Sequence, residues 1–98
     1  MPFLIETFDK PGHAHVRASE REVHLAFLEA NKALLLACGA KLNDDGSSAG
    51  GGIYIVDVET RDAAEQFIAQ DPFWKVDLFE RVSIVRWRKA YVDGTCYL

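Results

Sequence analysis

The sequence predicts one α+β domain with the element order β-α-β-β-α-β. Three observations predict it. Runs rich in β-branched and aromatic residues lie at 3–8, 53–58 and 81–89. Two stretches of helical periodicity lie between them, each preceded by a capping residue. Gly and Pro punctuate the junctions, and 98 residues leave room for only one domain, 1–98. Its core is expected over about residues 3–89, with a C-terminal tail at 90–98.

Phe3 to Phe8 reads as the first strand and Asp9-Lys10-Pro11-Gly12 as a turn, followed by a loop through His13 and His15 to Arg17. Ser19-Glu20-Arg21-Glu22 matches a capping box, which predicts a helix from there to about Ala37. Val23, Phe27, Leu28, Leu34 and Leu35 make its apolar stripe, and Gly39 is placed for a left-handed C-cap. Residues 40–45 read as a short strand. The glycine-rich stretch from Gly46 to Gly52 reads as a flexible hairpin connection, and Ile53 to Val58 as the clearest strand.

Thr60 can cap a second helix over 61–70, with Ala63, Ala64, Phe67 and Ile68 inward. Asp71-Pro72 ends it, because the residue before proline avoids helical geometry. A short turn or helix then leads to a last strand at about 81–89.

This order is the ferredoxin-like split βαβ arrangement, a four-stranded antiparallel sheet with both helices on one face. The other face of strands 53–58 and 81–89 is too apolar to stand in water. A second copy is therefore expected to pack sheet against sheet as a homodimer.

Composition excludes several classes. Apolar residues make up 49% and charged residues 27%, a globular balance. A net charge of −4 provides no field for nucleic acid or an anionic membrane, and on a strand Arg86-Trp87-Arg88-Lys89 should turn its charges outward. No apolar run approaches the roughly 20 residues of a membrane span, and the first residues lack a signal-peptide pattern. A cytoplasmic location is the expectation, and Cys38 and Cys96 without a C-x-x-C pair agree with it. Cys38, placed on the first helix, is expected to be buried.

Arg17-x-x-x-Arg21-x-x-His24-Leu25-x-x-Leu28, Gly39, Asp62-x-Ala64, Asp71-Pro72-Phe73, Leu78-Phe79-Glu80-x-Val82 and Trp87-Arg88 occur in that order. Together they resemble the YciI-like family, the YCII-related domain, over about residues 3–89. The resemblance implies a dimeric ferredoxin-like α/β barrel, similar to that of muconolactone isomerases. A few relatives act as dehydrochlorinases on chlorinated hydroxyquinols. It also implies a catalytic pair, which by position is His24 and Asp71. The chain departs from the common family pattern at Gly51-Gly52-Ile53, at Val76-Asp77 and at Arg86.

As chemistry, His24 is the one histidine inside a predicted element, and imidazole can exchange a proton at neutral pH. The bland alternative is a half-buried helix histidine held by Glu20. Asp71 sits at a helix C-terminus, where its charge opposes the macrodipole by roughly 0.3–1 kcal/mol and so invites a donor. Alternatively it simply caps the next turn, with Pro72 first. Arg17 and Arg21 near a helix start can contact an anion, or stand as solvated surface arginines. Trp74 can wall a pocket for a ring-shaped substrate, while Phe73 reads as core. His13-x-His15 completes no metal site.

The expectation is an enzyme of elimination or isomerisation on a small ring-shaped or anionic molecule, needing no metal or organic cofactor. The alternative is a non-catalytic dimeric module that binds a small ligand or assists another enzyme. Hydrogen-bond reach between His24 and Asp71 beside an open cleft discriminates the two.

Overall fold

Alternation along β1 (Phe3–Asp9) sets the layers of the domain. Phe3, Ile5 and Thr7 are buried beneath the helices, while Leu4, Glu6 and Phe8 face the other way. The computed structural model describes all 98 residues. After β1 come α1 (Ala14–Ala30), a 3-10 turn (Lys32–Leu34), β2 (Leu35–Leu42) and β3 (Ser48–Val56). Then follow α2 (Arg61–Ala69), α3 (Pro72–Lys75), β4 (Phe79–Arg86) and a small hairpin of β5 (Tyr91–Val92) and β6 (Thr95–Cys96).

The main sheet is antiparallel with strand order β2-β3-β1-β4, the ferredoxin-like arrangement expected from the sequence. Ile5 lies opposite Tyr54 and Ile84, and Phe3 opposite Val56. This register places the apolar side chains of β1 and β3 beneath α2 and α3. There Ala64, Phe67, Ile68, Phe73 and Leu78 complete the core. Each large side chain fully buried here contributes about 1.5–3 kcal/mol.

The second helix forms as read. Thr60 caps it by accepting the Ala63 N–H at 3.1 Å. Its stripe of Ala64, Phe67 and Ile68 is buried.

The first helix differs from the reading. It begins at Ala14, directly after the Pro11-Gly12 turn, with no side-chain cap, and Ser19 lies within it rather than at its start. It ends at Ala30, where Asn31 Nδ2 donates back to the Phe27 carbonyl at 2.9 Å. Residues 35–39, read as its last turn and cap, are strand instead. Ala37, Cys38 and Gly39 pair with Ile55, Tyr54 and Ile53. Ladder hydrogen bonds to a buried central strand outweigh the modest helix propensity of Leu and Ala. Gly39 is therefore no C-cap, and Cys38 is an exposed strand residue rather than a buried helical one.

The glycine run is also strand rather than loose connection. A Cβ at Gly51, which has φ +137°, would lie 2.0 Å from the Thr7 carbonyl oxygen. Only glycine admits that approach of β3 to β1. The fourth strand runs 79–86 instead of 81–89. Within the tail, Asp93 and Gly94 at positive φ turn the β5–β6 hairpin.

The sheet face away from the helices carries Leu4, Ile53, Ile55 and Val85 in register, with Val85 half exposed. On the same face the Phe8 ring lies between Lys41 Nζ at 3.6 Å and the Arg81 guanidinium at 3.8 Å. No helix is long and apolar enough to cross a membrane.

Candidate active site

Asp71 sits at the joint between α2 and α3, in an extended conformation, with Pro72 first in α3. Its side chain is fully buried and its Oδ1 accepts the Phe73 N–H at 2.8 Å, which caps α3. From β3, the Tyr54 hydroxyl donates to Oδ2 at 2.8 Å. From α1, His24 Nδ1 lies 3.0 Å from each carboxylate oxygen. Capping and partnering, the two readings open for Asp71, thus occur together.

Three donors, from Tyr54, Phe73 and His24, surround one buried carboxylate. That set offsets the cost of removing its charge from water. The bond to Asp71 assigns the His24 proton to Nδ1 and leaves Nε2 with a free lone pair. The imidazole is also fixed in plane, stacked on the Phe73 ring at 4.1 Å and 19° and edge-on to Tyr54. Glu20 makes no contact of hydrogen-bonding distance with it.

His24 opens on a cleft of about 460 Å³ between α1 and the β2–β3 pair, within the range usual for small-molecule sites. Arg21, Leu25 and Leu28 form the helix wall. Cys38, Ala40, Gly52 and Tyr54 form the sheet side, and small residues there are what leave the space open.

Arg17 and Arg21 both line the cleft, but their situations differ. The Arg17 guanidinium is held by Asp9 at 2.6 and 3.0 Å and lies 4.5 Å above the Phe73 ring. Arg21 forms neither an ion pair nor a hydrogen bond and is the free cation of the cleft.

Trp74 is not brought to this place. It is 45% exposed and lines a separate depression with Ile68, Val82 and Ile84, because the helical turn of α3 points it about 100° away from Phe73. Phe73, read as core, is both core and the aromatic wall of the cleft. His13 and His15 lie stacked at 6.1 Å, and no group of three or more His, Cys, Asp or Glu is placed to hold a metal ion.

Two sheet residues escaped the sequence reading. Burial, and then the Asp71 charge, push the Tyr54 phenol far above its ordinary range, so it is a permanent donor. A tyrosine in the most apolar strand was the available signal, because a buried phenol requires a partner. The Cys38 thiol faces the cleft, where desolvation and then the Asp71 charge raise it to about 11.

Fold and cleft together define a small ferredoxin-like α+β domain with a histidine–carboxylate pair at the edge of an open pocket. The profile of the YCII-related domain matches residues 1–88, and the chain belongs to that YciI-like family. Among solved structures it is similar to the 5-chloro-2-hydroxyhydroquinone dehydrochlorinase TftG of Burkholderia phenoliruptrix AC1100, in complex with 2,5-dihydroxybenzoquinone. That match has 35% identity and a TM-score of 0.81, over 90% of this chain and 94% of that one. The protein Atu4242 of Agrobacterium tumefaciens shares the fold at 18% identity and a TM-score of 0.50, over 97% of this chain and 100% of that one. No curated protein matches the sequence.

Proposed function

We propose that this protein is a cofactor-independent enzyme that moves a proton on a small, oxygenated, ring-shaped molecule, with elimination or isomerisation as the outcome. The observation that carries the reading is the His24 Nδ1–Asp71 contact at 3.0 Å beside the cleft. His24 Nε2 takes a proton from a ring hydroxyl or ring carbon. The imidazolium formed is stabilised by the adjacent carboxylate, which stays ionised.

In an elimination, the electron pair released moves through the ring and a leaving group such as chloride departs with it. In an isomerisation, the proton returns to a different ring atom. Arg21 holds an anionic oxygen of the substrate, and Arg17 braces the Phe73 ring behind His24. The name and bound ligand of the dehydrochlorinase similar to this chain support an oxygenated ring as substrate class. Trp74 has no part in this cleft.

The test has two arms. Addition of 2,5-dihydroxybenzoquinone should shift the His24 ring resonances, and 5-chloro-2-hydroxyhydroquinone should release chloride in the presence of the protein. Release at the uncatalysed rate, with no ligand-induced shift, would leave the chain outside this chemistry.

We further infer that a second copy covers the open sheet face, burying Leu4, Ile53, Ile55 and Val85. Sedimentation at micromolar concentration should give twice the chain mass, and a monomer would refute the pairing. Two free cysteines suit a reducing compartment, and the cytoplasm is where we place the protein.

A further inference from the structure

We propose that Tyr54 is a positioning residue for the histidine–carboxylate pair, setting both the orientation of Asp71 and the pH at which His24 becomes a free base. The proposal builds on the catalytic reading of His24 and Asp71, but its test does not depend on turnover.

The geometry begins with charge. Asp71 is fully buried, and no cation bonds to it apart from whatever charge His24 acquires. Arg17 on α1 has both of its side-chain hydrogen bonds committed to Asp9. The carboxylate therefore depends on neutral donors. The Phe73 N–H holds Oδ1 and is fixed by the start of α3. Oδ2 has only the Tyr54 hydroxyl besides His24 itself.

Tyr54 sits on β3, an interior strand of the sheet, and is 2% exposed, so its hydroxyl is delivered from within the packed core. With Phe73 below and Tyr54 across, the carboxylate is held from both ends. It can then present both oxygens to Nδ1 at 3.0 Å.

A donor to Asp71 also tunes His24. It stabilises the carboxylate most when its charge is uncompensated, that is, when His24 is neutral. Once His24 is protonated, the imidazolium already neutralises the pair and the Tyr54 bond matters less. Tyr54 thereby favours the neutral imidazole that a general base requires. The other groups facing the pair are Arg17, Arg21 and Glu20 on α1, Cys38 on β2 and Asp9 at the end of β1. A change of Tyr54 to phenylalanine leaves each of these in place and keeps the buried ring.

The experiment follows the His24 ring by NMR across pH in the full-length protein and in Tyr54→Phe. The expected result is an upward move of the apparent titration by about one pH unit, the effect of one lost hydrogen bond to a charge. The pH–activity profile should move in the same direction, with a loss of up to about tenfold on its acid limb, KM little changed, and recovery as pH rises.

A Tyr54→Phe protein whose His24 titration is unmoved or lowered would overturn the proposal. If His24→Ala keeps full activity while the Tyr54→Phe titration still shifts, the catalytic reading fails and the positioning relation stands. If His24→Ala is inactive and the titration does not shift, only the Tyr54 proposal fails.

Discussion

The two long helices lie on the same face of the sheet but are used differently. α2 buries Ala64, Phe67 and Ile68 against β1 and β4, whereas α1 buries no residue completely. The reason is in the inward-facing stripes. That of α2 is apolar throughout. That of α1 alternates Val16, Phe27 and Leu28 with Arg17, Glu20 and His24, side chains that resist dehydration. Opposite the middle of α1 the strand β2 supplies the small residues Cys38, Gly39 and Ala40, so the helix stands off the sheet and leaves the cleft. One helix supplies the core, and the other gives up packing and leaves a cleft beside His24.

Substitutions can break this comparison in order of effect. Removal of the base should act most strongly. His24→Ala is expected to cut turnover of 5-chloro-2-hydroxyhydroquinone by about 10²–10⁴-fold, and also to lower the melting temperature, because the buried Asp71 carboxylate loses one of its three donors. Asp71→Asn should reduce turnover in the same sense and also weaken the cap of α3. Stopped-flow or chloride-electrode rates, read beside thermal melts, would check both. An active His24→Ala protein would make α1 merely a loosely packed helix.

Next comes packing. Ile68→Ala on α2 should cost about 2–5 kcal/mol in urea unfolding. Val23→Ala on α1, at an exposed position, should stay within about 0.5 kcal/mol. Equal losses would show that α1 carries more of the stability than its burial implies.

The two thiols give a third contrast. Cys38 beside the cleft is raised to about 11, whereas the Cys96 thiol is lowered by the Leu98 backbone and Tyr91. At pH 8 only about one Cys38 in a thousand is thiolate, so mass-resolved iodoacetamide labelling should mark Cys96 roughly 100-fold faster. The gap should close as pH approaches 11, and Asp71→Asn should narrow it earlier. Because the folded thiol is raised above its ordinary value of 9, its contribution to stability is intact below pH 9 and fades between there and about 11.

The smallest effect expected is on ligand affinity from filling the cleft. Cys38→Phe projects a ring into the space and should weaken 2,5-dihydroxybenzoquinone binding by about tenfold or more. The melting temperature should not fall, since no core contact is removed. Calorimetric titration would measure this, and unchanged affinity would place the ligand elsewhere.

Much of the fold was legible because local patterns and tertiary needs agreed. Thr60, the apolar stripe of α2 and Asp71-Pro72 each pointed to the structure that forms. The stretch Leu34 to Gly39 was not legible in the same way. Its residues suit a helix about as well as a strand, and only pairing with β3 decides for strand. The capping box at Ser19 was a true local pattern overtaken by the Pro11-Gly12 turn, which starts the helix earlier.

The site divides along the same line. The family resemblance singled out His24 and Asp71, and the fold brings them to 3.0 Å of each other with Arg21 on the same cleft. Trp74 was misplaced because successive residues on a helix point about 100° apart, and nothing local says which of them turns toward the cleft. Tyr54 and Cys38 join the site only through the register of β2 on β3, which sequence periodicity does not specify.

By itself, then, the sequence determined the order of elements, the covered and open faces of the sheet, and the chemical types available for a site. Hydrophobic period and turn chemistry are local, and both are written in consecutive residues. Tertiary structure alone decided that α1 stands away from the sheet, and that a carboxylate 47 positions from His24 and 17 from Tyr54 bonds to both. Those contacts depend on strand register and helix placement, which are properties of the whole packed chain.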